Sequence, residues 1–164
     1  MSDSTRPVEG DTAPHFTLPA TTDSGEISLA ERLSAGPVVV YFYPRDNTPG
    51  CTTEAQDFTR LKADFDALGA TVIGISRDSL RKHHNFTEKQ GLAIPLAADE
   101  GGTVCAAYGV WVEKTMYGKK SFGIERSTFL VAPDGSLAGV WRKVKVKDHA
   151  AAVLEAVRGL ANQA

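Results

Sequence analysis

The stretch Pro37-Val-Val-Val-Tyr-Phe-Tyr-Pro-Arg-Asp-Asn-Thr-Pro-Gly-Cys51 passes from a β-branched, aromatic run into a loop bearing proline and glycine. Pro37 to Tyr43 shows no polar alternation, the pattern of a central strand buried on both faces. Pro44 ends that strand, because proline cannot donate to a sheet ladder. The loop Arg45-Asp46-Asn47-Thr48-Pro49-Gly50 follows, and a helix is expected from Cys51. Along it Phe58, Leu61, Phe65 and Leu68 recur at steps of three and four, with Gly69 as its C-cap. Thr71 to Ser76 reads as the next buried strand, so the stretch opens a strand–helix–strand unit.

Outward from this unit, His15 to Leu29 reads as a hairpin. Phe16, Leu18, Ile27 and Leu29 flank its polar turn Thr22-Asp23-Ser24-Gly25. A helix is expected from Ser79 to Gln90, a short strand over Pro95 to Ala98, and a short helix over Gly102 to Tyr108. Ser127 to Val131 and Leu137 to Arg142 flank the turn Pro133-Asp134-Gly135 and form a second hairpin. Asp148 is expected to cap a last helix through Ala161, with Val153, Val157 and Leu160 on its buried side. Parallel crossovers followed by an antiparallel hairpin and a helix predict an α/β, thioredoxin-like fold. Its central mixed sheet is flanked by helices and carries an N-terminal β-hairpin extension. Residues 1–11 are expected to form a flexible arm and residues 12–164 a single domain.

Lys and Arg number 18 against 20 Asp and Glu, so nothing in the overall charge draws the chain to nucleic acid or acidic membranes. The polar start lacks the apolar core of a signal peptide, and the longest aliphatic and aromatic run, Val38 to Tyr43, is far too short to cross a bilayer. A cytoplasmic protein is expected. The adjacent His83 and His84 point to different sides of a helix, and no histidine or cysteine cluster has zinc spacing, so no metal is expected. Arg142-Lys-Val-Lys-Val-Lys147 reads as a solvent-facing strand edge, where lysines discourage sheet-to-sheet pairing.

Two cysteines, Cys51 and Cys105, are too few for a disulfide framework and form no C-x-x-C pair. Each matters, if at all, as an individual thiol. Cys51 sits where a buried strand hands over to a helix. A helix N-terminus carries partial positive charge and unpaired N–H groups, both of which favour a thiolate. Position alone leaves open the usual fate of a lone cysteine, a small buried hydrophobe. Thr48, three residues earlier, offers a hydroxyl to an incoming oxygen or simply caps its loop. Pro44 and Pro49 shield the sulfur, Arg45 either assists it or points to water, and Glu54 is placed to orient an arginine.

These residues resemble a family. Pro44-Arg-Asp-Asn-Thr48-Pro-Gly-Cys51 fits the peroxiredoxin signature Pro-x-x-x-Thr-x-x-Cys. Tyr41 to Glu54 as a whole is similar to the peroxiredoxin Q group, also called bacterioferritin comigratory protein. The likeness continues through Gly10 to Pro19, Val72 to Ser76, Tyr108 to Trp111, Met116 to Lys119 and Gly123 to Leu130, in order along nearly the whole chain. The resemblance implies a thiol peroxidase for hydrogen peroxide and organic hydroperoxides. In it Cys51 becomes a sulfenic acid, Pro44 and Thr48 border the peroxide, and Arg126 holds the thiolate and polarises the oxygens. It implies no metal, haem or flavin, and a monomer or weak dimer. Taken by itself, Arg126 reads as an ordinary surface arginine.

The chain departs from the family where a resolving cysteine is expected. Gln56 and Thr87 occupy the two usual positions. Cys105, among small apolar residues, reads first as a buried structural thiol and second as a resolving candidate. The expectation is a one-cysteine cycle whose sulfenic acid is resolved by an external thiol (thioredoxin, glutaredoxin or glutathione), with overoxidation as the hazard. Rival readings are a peroxide sensor or redox relay, which also needs Cys51, and a non-enzymatic holdase, which does not. Trp111, Tyr117 and Phe122, in an expected Gly-rich loop, either line an apolar entrance or belong to the core.

Overall fold

The computed structural model describes residues 6–162. Its centre is a mixed five-stranded sheet in the order β5-β4-β3-β8-β9, the thioredoxin-like arrangement implied by the sequence. β3 (Val38–Phe42) lies in the middle, parallel to β4 (Thr71–Ser76) and antiparallel to β8 (Ser127–Val131). β5 (Leu96–Ala98) extends one side and β9 (Leu137–Trp141) the other. Successive strand side chains point to opposite faces, so β3 feeds two cores. Val38, Val40 and Phe42 pack with Ile73, Ile75 and Phe129 on one face. Val39 and Tyr41 pack on the other with Phe58, Phe65 and Phe86. No side chain of β3 is exposed at all, which is why the strand carries no polar residue.

The N-terminal hairpin is present as β1 (Thr17–Pro19) and β2 (Glu26–Ser28). It is shorter than expected, because Ser28 accepts from Glu31 N–H and starts a one-turn helix, α1 (Leu29–Leu33). The helix expected from Cys51 begins two residues earlier, at Pro49, since the fixed φ of proline suits the first helical position. It is also two pieces, α2 (Pro49–Arg60) and α3 (Lys62–Ala67), separated at Leu61. Phe58 and Phe65 keep one face across that break and are fully buried. α4 (Leu80–Gln90) is capped by Ser79, which accepts from Lys82 N–H, and closes at Gly91 in the left-handed conformation. α5 (Thr103–Ala107) and α6 (His149–Asn162) complete the helices. Asp148 precedes α6 at φ 61°, and its backbone carbonyl accepts from Ala152 N–H; its carboxylate makes no capping bond among the described residues.

Three further expectations are corrected. Residues 1–5 of the expected arm lie outside the described residues, but residues 6–11 are tied down. Gly10 N–H donates to the Leu137 carbonyl, Leu137 N–H to that of Asp11, and Arg6 pairs with Glu125 at 2.9 Å. The segment before Arg126 is a second hairpin rather than a loop: β6 (Trp111–Met116) and β7 (Lys119–Ile124) pair through all six positions. Its two-residue turn, Tyr117-Gly118, has φ of 54° and 77°, the mirror-image turn that matches strand twist. Residues 142–147 are an irregular connection rather than a strand, although Lys143, Lys145 and Lys147 do face solvent. No described helix is long and apolar enough to cross a membrane.

Candidate active site

Cys51 lies in the first turn of α2, at the end of the parallel pair β3–β4 and only 2% exposed. The first helical bond runs from Thr52 N–H to the Thr48 carbonyl. The amides of Gly50 and Cys51 therefore have no partner within the helix and remain beside the sulfur. Thr48 holds the N-cap position without capping: its hydroxyl donates instead to the Arg45 carbonyl at 2.8 Å. That leaves its lone pairs to accept a hydrogen bond from elsewhere.

Arg126, between β7 and β8, reaches the same point from the opposite side of the chain. Its Nη2 donates to Cys51 Sγ at 3.4 Å and its Nη1 to Glu54 Oε1 at 2.6 Å. Glu54, one turn after Cys51, is 1% exposed, and its Oε2 has no partner among the described residues. Burial pushes the Glu54 carboxyl up to about 7, with the Arg126 charge pulling the other way. Burial works against the Arg126 cation too, but the charges of Glu54 and Cys51 more than offset it and leave its pKa raised. A Cβ at Gly50 would stand 3.2 Å from Arg126 Nη2, so the missing side chain gives the guanidinium its path to the sulfur.

Below this loop lies a buried hydrogen-bonded group unforeseen in the sequence. Tyr43 donates to Asp46 Oδ1 at 2.6 Å, and Asp46 Oδ2 faces His83 Nδ1 at 2.7 Å. Asp46 N–H donates to Asp78 Oδ2, which also accepts from Ser76 Oγ. Asp46, Asp78 and His83 lie close enough to be read as metal ligands, yet their facing atoms are already engaged by these bonds. Position 46 alone gave no sign of burial; the one clue was a carboxylate beside a strand end rich in tyrosine.

A cavity of about 600 Å³ opens over Cys51, bordered by Pro44, Thr48, Arg126, Trp111, Phe122 and Lys114. Trp111 and Phe122 stack at 6.4 Å, and the Arg77 guanidinium lies 4.5 Å above Trp111. Neither aromatic is a core residue; Tyr117, by contrast, stands at the hairpin turn, 97% exposed and away from the cavity. Thus Cys51, Thr48, Arg126 and Pro44 come together, while Cys105 does not join them. Cys105 belongs to the core on the other face of the sheet. Burial, and then its neighbour Asp99, push its thiol pKa far up. Gln56 donates to Gln90, and Thr87 has its hydroxyl buried without a partner among the described residues.

Comparison with known proteins agrees with this geometry. The AhpC/TSA family matches residues 9–140. Peroxiredoxin Bcp of Xanthomonas campestris pv. campestris is 49% identical over 90% of this chain and 92% of its own. A structure of the Xanthomonas campestris bacterioferritin comigratory protein, described for its alkyl peroxide reduction activity, shares 47% identity. It covers 89% of this chain and 92% of that one, at a TM-score of 0.83. A cysteine-to-serine variant of Xylella fastidiosa PrxQ superposes at a TM-score of 0.88, with 41% identity over 95% and 98% of the two chains. Two more structures of the Xanthomonas protein are cysteine-to-serine variants at two different positions. A likeness that runs through nearly the whole length of sequence and fold, and includes the loop and helix start presenting Cys51, places this chain in the AhpC/TSA family as a peroxiredoxin of the Bcp, or peroxiredoxin Q, type.

Proposed function

We propose that this peroxiredoxin reduces hydrogen peroxide and alkyl hydroperoxides by a one-cysteine cycle centred on Cys51. The observation that carries the site assignment is the Arg126 guanidinium, fixed by Glu54 and aimed at the Cys51 sulfur. The Cys51 thiolate attacks the terminal peroxide oxygen; an S–O bond forms as the O–O bond breaks. The leaving oxygen takes the electron pair and a proton, departing as water or alcohol, and Cys51 is left as a sulfenic acid. Negative charge moves from sulfur to the leaving oxygen, so donors fixed around both stabilise the transition state more than the ground state. Arg126 and the amides of Gly50 and Cys51 supply those donors. The Thr48 hydroxyl, its proton committed to the Arg45 carbonyl, accepts the peroxide O–H.

Support for one-cysteine chemistry comes from what stands around the sulfur. Cys105 lies across the sheet, and Gln56 bears no thiol. The spacing between the two cysteines replaced in the Xanthomonas variants, carried onto this chain from Cys51, falls on Thr87. An external thiol, such as thioredoxin, glutaredoxin or glutathione, then reduces the sulfenic acid. The test is stopped-flow oxidation of reduced protein, wild type beside Cys51→Ser and Cys105→Ser, with product masses. Fast oxidation lost only in Cys51→Ser, with a one-oxygen adduct and no internal disulfide, is expected. A Cys51–Cys105 disulfide overturns the one-cysteine cycle, and oxidation no faster than that of a free thiol overturns the peroxidase reading in favour of a holdase.

A further inference from the structure

The loop that carries Thr48 into place is held from beneath by one inward-turned residue. Asp46 is 6% exposed although Arg45 and Asn47 on either side face solvent. Asn47 takes φ 61°, the left-handed conformation that asparagine tolerates better than most residues with a side chain. Asp46 is anchored to the end of β3 through Tyr43, to the segment after β4 through Asp78, and to α4 through His83.

His83 is wholly buried, and both of its ring nitrogens face acceptors. Nε2 lies 3.0 Å from the Ala97 carbonyl of β5, and Nδ1 lies 2.7 Å from Asp46 Oδ2. Nδ1 also lies 3.4 Å from Tyr43 Oη, so ring, carboxylate and phenol form one closed group. Tyr43 joins it from the end of β3, Asp78 from the segment after β4 and the Ala97 carbonyl from β5. A buried polar group that loses its partner costs the full penalty of its desolvation, so each member holds the others in place.

We propose that Asp46 and His83 are positioning residues for the peroxide reaction: the hydrogen bond between them locks the Pro44–Gly50 loop in the shape that presents Thr48 and Cys51, and its loss releases the loop. Removing one partner leaves a buried polar group unpaired, which the loop relieves by moving. The inference rests on Cys51 being the peroxide-reacting thiol, and its test is built to separate the two.

Two rates are measured on the reduced protein at one pH: oxidation by hydrogen peroxide and alkylation by iodoacetamide. Both need the Cys51 thiolate, but only oxidation needs the loop in place, so their ratio cancels the ionisation of Cys51. Asp46→Ala is expected to lower the ratio by about tenfold or more, as misplaced groups cost catalysis. Asp46→Asn keeps an oxygen for Tyr43 and a polar partner for Nδ1, so it is expected to restore most of the ratio. A ratio unchanged in Asp46→Ala, or lowered equally in Asp46→Asn, overturns the proposal. A second measurement needs no variant: proton NMR of the wild type is expected to show a far-downfield ring N–H resonance from the hydrogen bond between His83 and Asp46, and its absence overturns the proposal. Peroxide oxidation that persists in Cys51→Ser would instead overturn the reading of Cys51 on which the proposal rests.

Discussion

Glu54 decides where Arg126 stands, and its own ionisation lies near neutrality. With its carboxyl pushed up to about 7 by burial, it passes from a neutral acid to a carboxylate around neutral pH. As a carboxylate it accepts a charge-assisted bond from Arg126; protonated, it accepts a weaker one. Above that point the guanidinium is therefore pinned toward the sulfur, and below it the hold loosens. The ratio of peroxide to iodoacetamide rates is expected to climb through neutral pH in wild type. Glu54→Gln is expected to remove this climb and slow oxidation by about tenfold, the effect of losing one charge-assisted positioning bond. An unchanged climb in Glu54→Gln would assign it to another group. At this scale the sequence marked Cys51, Thr48 and the spacing of Glu54, because they share one short segment. Arg126 was legible only through family likeness, since its partners lie more than seventy residues upstream. His83 read only as a failed zinc ligand, because its partners, Asp46 and the Ala97 carbonyl, come from two other segments.

The β6–β7 hairpin supplies the apolar wall of the cavity over Cys51. Its pairing partners Glu113 and Phe122, and Trp111 and Ile124, share one face, which sets Trp111 beside Phe122 and both over the cavity. Phe122 is 61% exposed, so it fits a role in contact with a substrate's organic group better than one in the core. Phe122→Ala is expected to lower kcat/KM for cumene hydroperoxide by about tenfold, in line with the loss of one aromatic contact. Turnover of hydrogen peroxide, which has no organic group, is expected to stay within about twofold. Equal losses for both substrates would place the effect on the reacting centre instead. This element escaped the sequence reading because its strands carry Lys, Glu, Thr, Ser and Gly, with neither alternation nor a buried run to mark them. The break at Leu61 escaped it for the opposite reason: the apolar spacing across Phe58 and Phe65 continues through it undisturbed. β3, β4, β8 and α4 were legible because burial on both faces, or a Ser cap and a closing Gly, leaves a local signature.

Across the whole molecule the sheet carries a core on each face, and α6 seals one of them with a buried histidine. His149 bonds Thr128 through Nε2 at 2.8 Å and packs edge-on against Phe58 and Trp141. Burial, helped by the Arg126 charge, lowers its pKa from 6.5 to about 4. The folded state thus binds this proton less readily than the unfolded chain. The resulting stability is fully present above about 6.5 and is lost as pH falls toward 4. Glu54 runs the other way: its raised pKa gives stability that is present below 4.5 and lost as pH rises to about 7. His149→Gln is expected to flatten the fall in Tm between pH 6.5 and 4, measured by calorimetry against wild type. A parallel fall in both proteins would assign the acid sensitivity elsewhere.

The same sheet stands between the two sulfurs, one in each core. On the one-cysteine reading, every oxidising equivalent captured at Cys51 must leave through the molecular surface and be handed to another molecule. Steady-state clearance then becomes a matter of traffic: it scales with how often reductant meets an oxidised copy. Raising the number of copies without raising the supply of reductant enlarges the capacity to absorb a brief pulse, but leaves the sustained throughput where it was.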